Sequence, residues 1–194
     1  MLRATSDVAI CLLAGGRATR FADKLQSDAG GVPLIVRAFN NVRTVAPVYL
    51  CGNTDFRPAV DAQLDCPRIH DRQSARGPLE GLVSAFTEMP HKRIFALAGD
   101  APYVDEATLD EIERAWQDGD EAVVPARANG GRMRYEPLCA LYDRVAFLRE
   151  AEAVLKESRA VVAVVHALRT RQITLRNDRA LFNVNTESDA RQVQ

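Results

Sequence analysis

Apolar residues fall in short unbroken runs separated by amphipathic stretches, and this alternation predicts the fold. Val8 to Leu13 is continuously apolar between Asp7 and Gly15-Gly16, which is how a strand buried on both faces of a parallel sheet reads. Pro33 then opens a pattern in which Leu34, Ile35, Ala38, Phe39 and Val42 recur at helical spacing, ending by Pro47. Val48 to Cys51 is a second strand, Gly52-Asn53 its turn, Phe56 to Leu64 a weaker helix and Arg68 to Asp71 a short third strand. The glycine-bounded segment Gly77 to Gly81 leads into a helix through Phe86, and Arg93 to Ala98 is a fourth strand closed by Gly99-Asp100. Repeated strand–helix alternation of this kind predicts a parallel sheet.

The second half is less regular. Asp105 reads as an N-cap for a helix carrying Leu109, Ile112, Glu113 and Trp116 and ending near Gly119, with Trp116 in the core. Ala122 to Ala126 is a fifth strand. Asn129-Gly130-Gly131 is a strong turn signal that links it, by a loop or a hairpin, to a strand over Pro137 to Tyr142. That pair is where a purely parallel pattern would break. Ala146 to Lys156 reads as a helix, whereas Val161, Val162, Val164 and Val165 favour a strand over Ala160 to His166. Ile173 to Leu175 is a last short strand, and Thr186 to Asp189 is a capping-box start for a terminal helix, with Asp in place of the usual Glu.

At 194 residues, 47% hydrophobic and 26% charged, the chain suits one domain over residues 1–194 with a sizeable core. The architecture expected is α/β: a three-layer α/β/α sandwich around a mostly parallel, Rossmann-like sheet. A formal net charge of −1 argues against a general nucleic-acid or anionic-membrane binder. No apolar run approaches the roughly 20 residues of a membrane span, and Met1 to Asp7 has no apolar signal core, so the expected location is cytoplasmic. Cys11, Cys51, Cys66 and Cys139 form no C-x-x-C pair, which disfavours structural zinc and a disulfide framework.

Ligands of an open parallel sheet bind beyond the carboxyl ends of its strands, and this orders the candidate chemistry. The first strand is followed by Gly15-Gly16, with Arg17, Arg20 and Lys24 close behind. Glycines at a sharp turn let amides converge on an anion, so this is either a phosphate-binding loop or an ordinary strand-to-helix turn with solvated cations. It matches neither G-x-x-x-x-G-K-[ST] nor G-x-G-x-x-G. The next exits carry Asn53, then Asp71 with Gly77, then Asp100. Asp100 is either a hard oxygen ligand suited to Mg²⁺ or a cap on the turn before Pro102. Asn183 and Asn185 flank Val184 and can share one face, as a polar turn or as a ligand-binding edge. The basic run Arg169 to Arg176 is a solvated face or an anion site, and His70, His91 and His166 lack metal-ligand spacing and read as structural or exposed.

Leu13-Ala-Gly-Gly-Arg-Ala-Thr-Arg20-Phe-Ala-Asp-Lys24 resembles the L-A-G-G-x-x-x-R-[MF]-…-D-K signature of nucleotidyltransferases that make nucleotide-linked sugars and cofactors. Gly77-Pro-Leu-Glu-Gly81-Leu is similar to G-P-L-A-G-[IL], Gly99-Asp-Ala-Pro-Tyr-Val104 to G-D-x-P-[FY]-[VI], Glu136-Pro-Leu-Cys-Ala-Leu-Tyr142 to E-P-L-x-A-L-Y, and Phe182-Asn-Val-Asn-Thr186 to F-x-N-[IV]-N-T. Together, and in this order, they resemble the MobA-type molybdenum cofactor guanylyltransferases.

The resemblance implies a nucleotide-diphospho-sugar transferase fold, a helix over Ala160 to His166, and transfer of GMP from GTP to molybdopterin with release of pyrophosphate. It further implies that Leu13, Ala14, Gly15, Gly16, Lys24, Asn53, Asp71 and Asp100 contact GTP. Asp100 would hold Mg²⁺, Arg20, Lys24 and Asp100 would be catalytic, and Asn183 and Asn185 would lie near the acceptor. Molybdoenzymes or cofactor-delivery proteins are the partners it suggests. Two departures stand out: only Phe21, Ala22 and Asp23 separate Arg20 from Lys24, where the family has a longer glycine-bearing stretch, and Val32 replaces a lysine that commonly precedes Pro-Leu. A cytidylyltransferase, another nucleotidyltransferase on a phosphorylated acceptor, and a non-catalytic nucleotide-binding accessory protein are the alternatives.

Overall fold

Six consecutive apolar residues can be buried together only in a strand covered on both faces, and Val8–Leu13 (β1) is buried at every position. In the computed structural model, which describes residues 7–15, 23–72 and 77–193, β1 is followed by α1 (Leu34–Val42), β2 (Val48–Cys51), α2 (Pro58–Asp61), β3 (Arg68–Ile69), α3 (Pro78–Glu88) and β4 (Arg93–Ala98). The chain continues through α4 (Glu106–Arg114), β5 (Ala122–Asn129), β6 (Arg132–Tyr135), β7 (Cys139–Asp143), α5 (Arg144–Val154), α6 (Val161–Ala167), β8 (Thr170–Ile173) and α7 (Glu187–Arg191). The strands form one sheet in the order β3-β2-β1-β4-β7-β5-β6, with β8 paired to β5. β3, β2, β1 and β4 are mutually parallel, so their carboxyl ends share one edge.

Alternate residues of β1 feed separate cores. Ile10 and Leu12 pack with Phe39, Phe95 and Ile112 beneath α1 and α4, while Ala9, Cys11 and Leu13 pack with Phe86, Tyr142 and Phe147 beneath α3, α5 and α6. This is the expected three-layer α/β/α sandwich. The Phe86 and Phe147 rings lie 4.6 Å apart at 0% exposure, and burying one such side chain contributes about 1.5–3 kcal/mol. Among the described residues no helix is long and apolar enough to cross a membrane.

Where the elements differ from the sequence pattern, the cause is tertiary. β5 runs on to Asn129 and turns through Gly130 and Gly131, at φ 58° and 79°, into a strand, β6, that the pattern does not predict. Positive φ at both central residues defines a two-residue hairpin turn, so the link is a hairpin. β7 lies antiparallel to both β4 and β5, which is the break in the parallel pattern. The valine run forms a helix because Val161, Val164 and Val165 fall on one face and are buried against α5, whereas Val162 is exposed; that burial outweighs β-branched preference. The helix expected over Phe56 to Leu64 contracts to α2, α4 stops at Arg114, and the last strand ends at Ile173 instead of starting there. Trp116 therefore lies outside its helix, half-buried, with the Arg93 guanidinium 5.5 Å from its ring.

Candidate functional site

The exit of β1 is clamped from both sides. Ala14 N donates to Cys51 O at 2.7 Å, and Thr54 Oγ1 donates to Ala14 O. At Gly52, φ is +130° and a Cβ would stand 2.9 Å from Ala14 C and Gly15 N, so the backbone approaches more closely than any side chain permits. On the other side Gly99 N donates to Leu13 O at 2.9 Å, and a Cβ on Gly99 would meet that oxygen at 2.7 Å. Leu13, Ala14 and Gly15 are thus held between the exits of β2 and β4.

Asp71 follows β3 and lies beside the clamped exit of β1. A Cβ on Gly15 would lie 3.6 Å from Asp71 Oδ2, and one on Gly81 3.2 Å from Oδ1, so the carboxylate sits between these glycines. Asp71 N donates to Asn53 Oδ1 at 3.0 Å, and Asn53 Nδ2 to Asp71 O at 3.4 Å. Burial raises the Asp71 pKa above its ordinary value, with the nearby His70 acting weakly the other way.

At the exit of β4, Lys24 Nζ lies 2.5 Å from Asp100 Oδ2, with the side chains only 17% and 20% exposed. Lys24 opens a single 3-10 turn, Lys24–Gln26, entered through a left-handed Asp23 at φ 56°. The turn is fastened to the loop after β2: Arg57 N donates to the buried Gln26 Oε1 and Arg57 Nη2 to Gln26 O, both at 2.5 Å, while Gln26 Nε2 donates to Asp55 O at 3.2 Å. Asp100 O accepts from Val184 N at 2.9 Å, which brings Asn183 and Asn185 alongside. Asp189 Oδ2 accepts from Asn185 N and Thr186 N, each at 2.9 Å, and completes the capping box of α7. The Asn185 amide, the other capping contacts and the charge of Lys24 hold Asp189 below the usual carboxylate range against partial desolvation. Lys24 is thus ion-paired with Asp100, and its charge also acts on Asp189.

The structure brings Leu13, Ala14, Gly15, Lys24, Asn53, Asp71, Asp100, Asn183 and Asn185 to one edge of the sheet; Gly16 and Arg20 lie outside the described residues. Gly52, Thr54 and Asp189 were not among the sequence candidates for this edge. Gly52 and Asp189 had signals, a turn and a capping box, but neither signal points to a ligand. At the start of the basic run, Arg169 pairs with Glu121 at 3.1 Å and Arg171 with Asp120 at 2.7 Å, beside the start of β8 and away from this edge. His91 Nε2 and Tyr49 Oη lie 3.1 Å apart, and His166 packs edge-on against Tyr135. All four cysteines are free thiols, three of them buried. Among the described residues no group of three or more His, Cys, Asp or Glu is arranged to hold a metal. One half-buried carboxylate at a strand exit is nevertheless a donor set suited to Mg²⁺, which takes few protein carboxylates and completes its shell with phosphate and water.

The family model described as the MobA-like NTP transferase domain matches residues 10–173. A molybdenum cofactor guanylyltransferase of Desulfosudis oleivorans is 29% identical over 189 residues, covering 92% of this chain and 90% of its own. A probable molybdenum cofactor guanylyltransferase of Carboxydothermus hydrogenoformans is 24% identical over 192 residues, covering 94% and 93%. Among solved structures, the molybdopterin-guanine dinucleotide biosynthesis protein A of Archaeoglobus fulgidus shares the fold with a TM-score of 0.71 at 20% identity, covering 96% of each chain.

Proposed function

The chain belongs to the MobA-like NTP transferase family, and from that premise we propose that it transfers GMP from GTP to the phosphate of molybdopterin, releasing pyrophosphate. An acceptor phosphate oxygen attacks the α-phosphorus, the bond from that phosphorus to the bridging β-oxygen breaks, and pyrophosphate leaves with the electron pair. The attacking oxyanion needs no Ser, Cys or His to activate it, so the protein's task is positioning and neutralisation of charge. The observation that carries the reading is the Lys24–Asp100 pair at 2.5 Å, set beside the clamped Leu13 to Gly15 backbone.

In this reading the Leu13 to Gly15 backbone and Gly16 cradle the triphosphate. Asn53 and Asp71, already bonded to each other, orient the nucleoside. Lys24 moves its charge from Asp100 toward the transferring phosphate, and Arg20 adds a second cation. Asp100 would hold Mg²⁺, which when bound would screen the phosphate oxygens against the incoming anion. Asn183 and Asn185 border the acceptor. The reaction is proposed for the cytoplasm, with a molybdoenzyme or a delivery protein receiving the product.

The test is a nucleotide screen followed by turnover. GTP with Mg²⁺ should stabilise the protein against heat more than CTP, ATP or UTP does, since a ligand at a hundred times its Kd contributes about 2.7 kcal/mol. Pyrophosphate release should then require GTP and molybdopterin together. Preferential stabilisation by CTP would reassign the base, and tight GTP binding without release would make the protein a carrier.

A further inference from the structure

The β5–β6 hairpin overhangs the same edge of the sheet. Phe95 of β4 pairs with Leu141 of β7, and Leu141 with Val123 of β5, so β5 runs parallel to β4 with Ala126 level with Ala98. Residues 127–134 therefore project beyond the end of β4 that carries Asp100. The returning chain closes on the same place: Glu136 N donates to Pro125 O at 2.8 Å, and Leu138 O accepts from Ala98 N at 2.9 Å.

On this overhang Arg127 and Arg134 are direct cross-strand partners, so both side chains leave one face of the ribbon. Like charges in that position repel and weaken a hairpin. Glu136 pairs with both: its Oε1 lies 2.9 Å from Arg127 Nε and Nη2 and 3.8 Å from Arg134 Nε. The Glu136 side chain is 11% exposed, against 40% for Arg127 and 64% for Arg134. A buried acid thus neutralises one guanidinium and leaves the trio with a surplus positive charge facing solvent. The sheet order puts Asn53 and Asp71 at the exits of β2 and β3, on one side of Asp100, and this charge on the other, past β7.

We infer that Arg127 and Arg134 form a phosphate-binding subsite for the acceptor, with Glu136 as the positioning residue that holds the Arg127 fork. A guanidinium presents paired donors that match phosphate oxygens, and an anion between the two arginines would relieve their repulsion. The inference rests on the proposed transfer to a phosphorylated acceptor. It adds contacts to the acceptor's attacking phosphate from the hairpin, on the side of Asp100 away from Asn53 and Asp71.

The experiment measures pyrophosphate release against molybdopterin concentration at saturating GTP, for wild type, Arg127→Ala, Arg134→Ala and Arg134→Lys, with the exposed Arg114→Ala as a control. Inorganic phosphate is titrated by thermal shift on the same proteins. The acceptor KM is expected to rise about tenfold in each alanine variant, as for loss of one charge-assisted hydrogen bond, with the KM for GTP within about twofold of wild type and partial recovery in Arg134→Lys. An unchanged acceptor KM in folded Arg134→Ala, or an equal rise in the KM for GTP, overturns the subsite while leaving the transfer reading intact. If the wild type releases no pyrophosphate, the transfer reading fails by itself: phosphate stabilisation that is lost in Arg134→Ala still supports the subsite, and stabilisation equal in both proteins overturns it.

Discussion

Asp100 concentrates the chemistry of this edge into one carboxylate, because its backbone oxygen is bonded to Val184 N and its side chain to Lys24 Nζ. Asp100→Asn keeps the shape and the backbone contact and removes the charge. Turnover is expected to fall about a hundredfold, some 2.7 kcal/mol of transition-state stabilisation, while the thermal midpoint barely moves; wild-type turnover in that variant would remove Asp100 from the reaction. Lys24→Ala should behave differently. A cation matched to the transferring phosphate is worth most in the transition state, so kcat is expected to drop by a larger factor than GTP affinity, which single-turnover and binding measurements separate. Asp100 was legible in the sequence because a lone carboxylate ends a buried apolar run. Asp189 was not, because its nearness to Lys24 arises only when the carboxyl-terminal segment returns to the exit of β4.

At the scale of elements, the site is built from close approaches between strand exits, and glycines make those approaches possible. Gly99→Ala would place a Cβ 2.7 Å from Leu13 O and from Ile35 Cδ1, so either the β1 exit or α1 must shift. Overpacking of this kind typically costs about 1–3 kcal/mol. The expected result is a lower urea midpoint together with weakened GTP binding, whereas a variant with both unchanged would show that the β1 exit tolerates displacement. The strands leading to these approaches were readable, since β1, β2 and β4 are short apolar runs ended by Gly or by Gly with Asp. The hairpin was readable at its turn but not at β6, whose Arg-Met-Arg-Tyr alternation is too short and too charged to signal a strand. α6 needed its neighbours: the residues alone favour extended chain, and only α5 beside it shows why Val161, Val164 and Val165 share a face.

At the scale of the whole molecule, the carboxylates divide into two groups with opposite responses to acid. On the side away from the candidate site, Glu121 joins three elements, accepting from Arg169 N at 3.0 Å and Arg149 Nη2 at 2.9 Å just before β5 begins. Burial alone would raise its pKa, but the Arg169 amide and the Arg149 and Arg169 guanidiniums outweigh burial and hold it below its ordinary value of 4.5. Asp120 is lowered in the same manner, with the Arg171 guanidinium opposing burial. Asp71, at the candidate site, is raised by burial. A carboxyl whose folded pKa is depressed contributes stability that is complete above its unfolded pKa and is lost as pH falls through the folded one. Asp71 has the opposite sign, so its protonation offsets part of that loss. Glu121→Gln should therefore be less stable than wild type at pH 7, and the gap should narrow as pH falls below about 4.5, where the unfolded carboxyl and then, at lower pH, the folded one take up a proton. Urea midpoints at pH 7, 5 and 3.5 measure this. A gap that stays constant across the series would mean that Glu121 acts through shape and hydrogen bonding alone, and the acid sensitivity of the fold would then fall to Asp120 and its Arg171 partner.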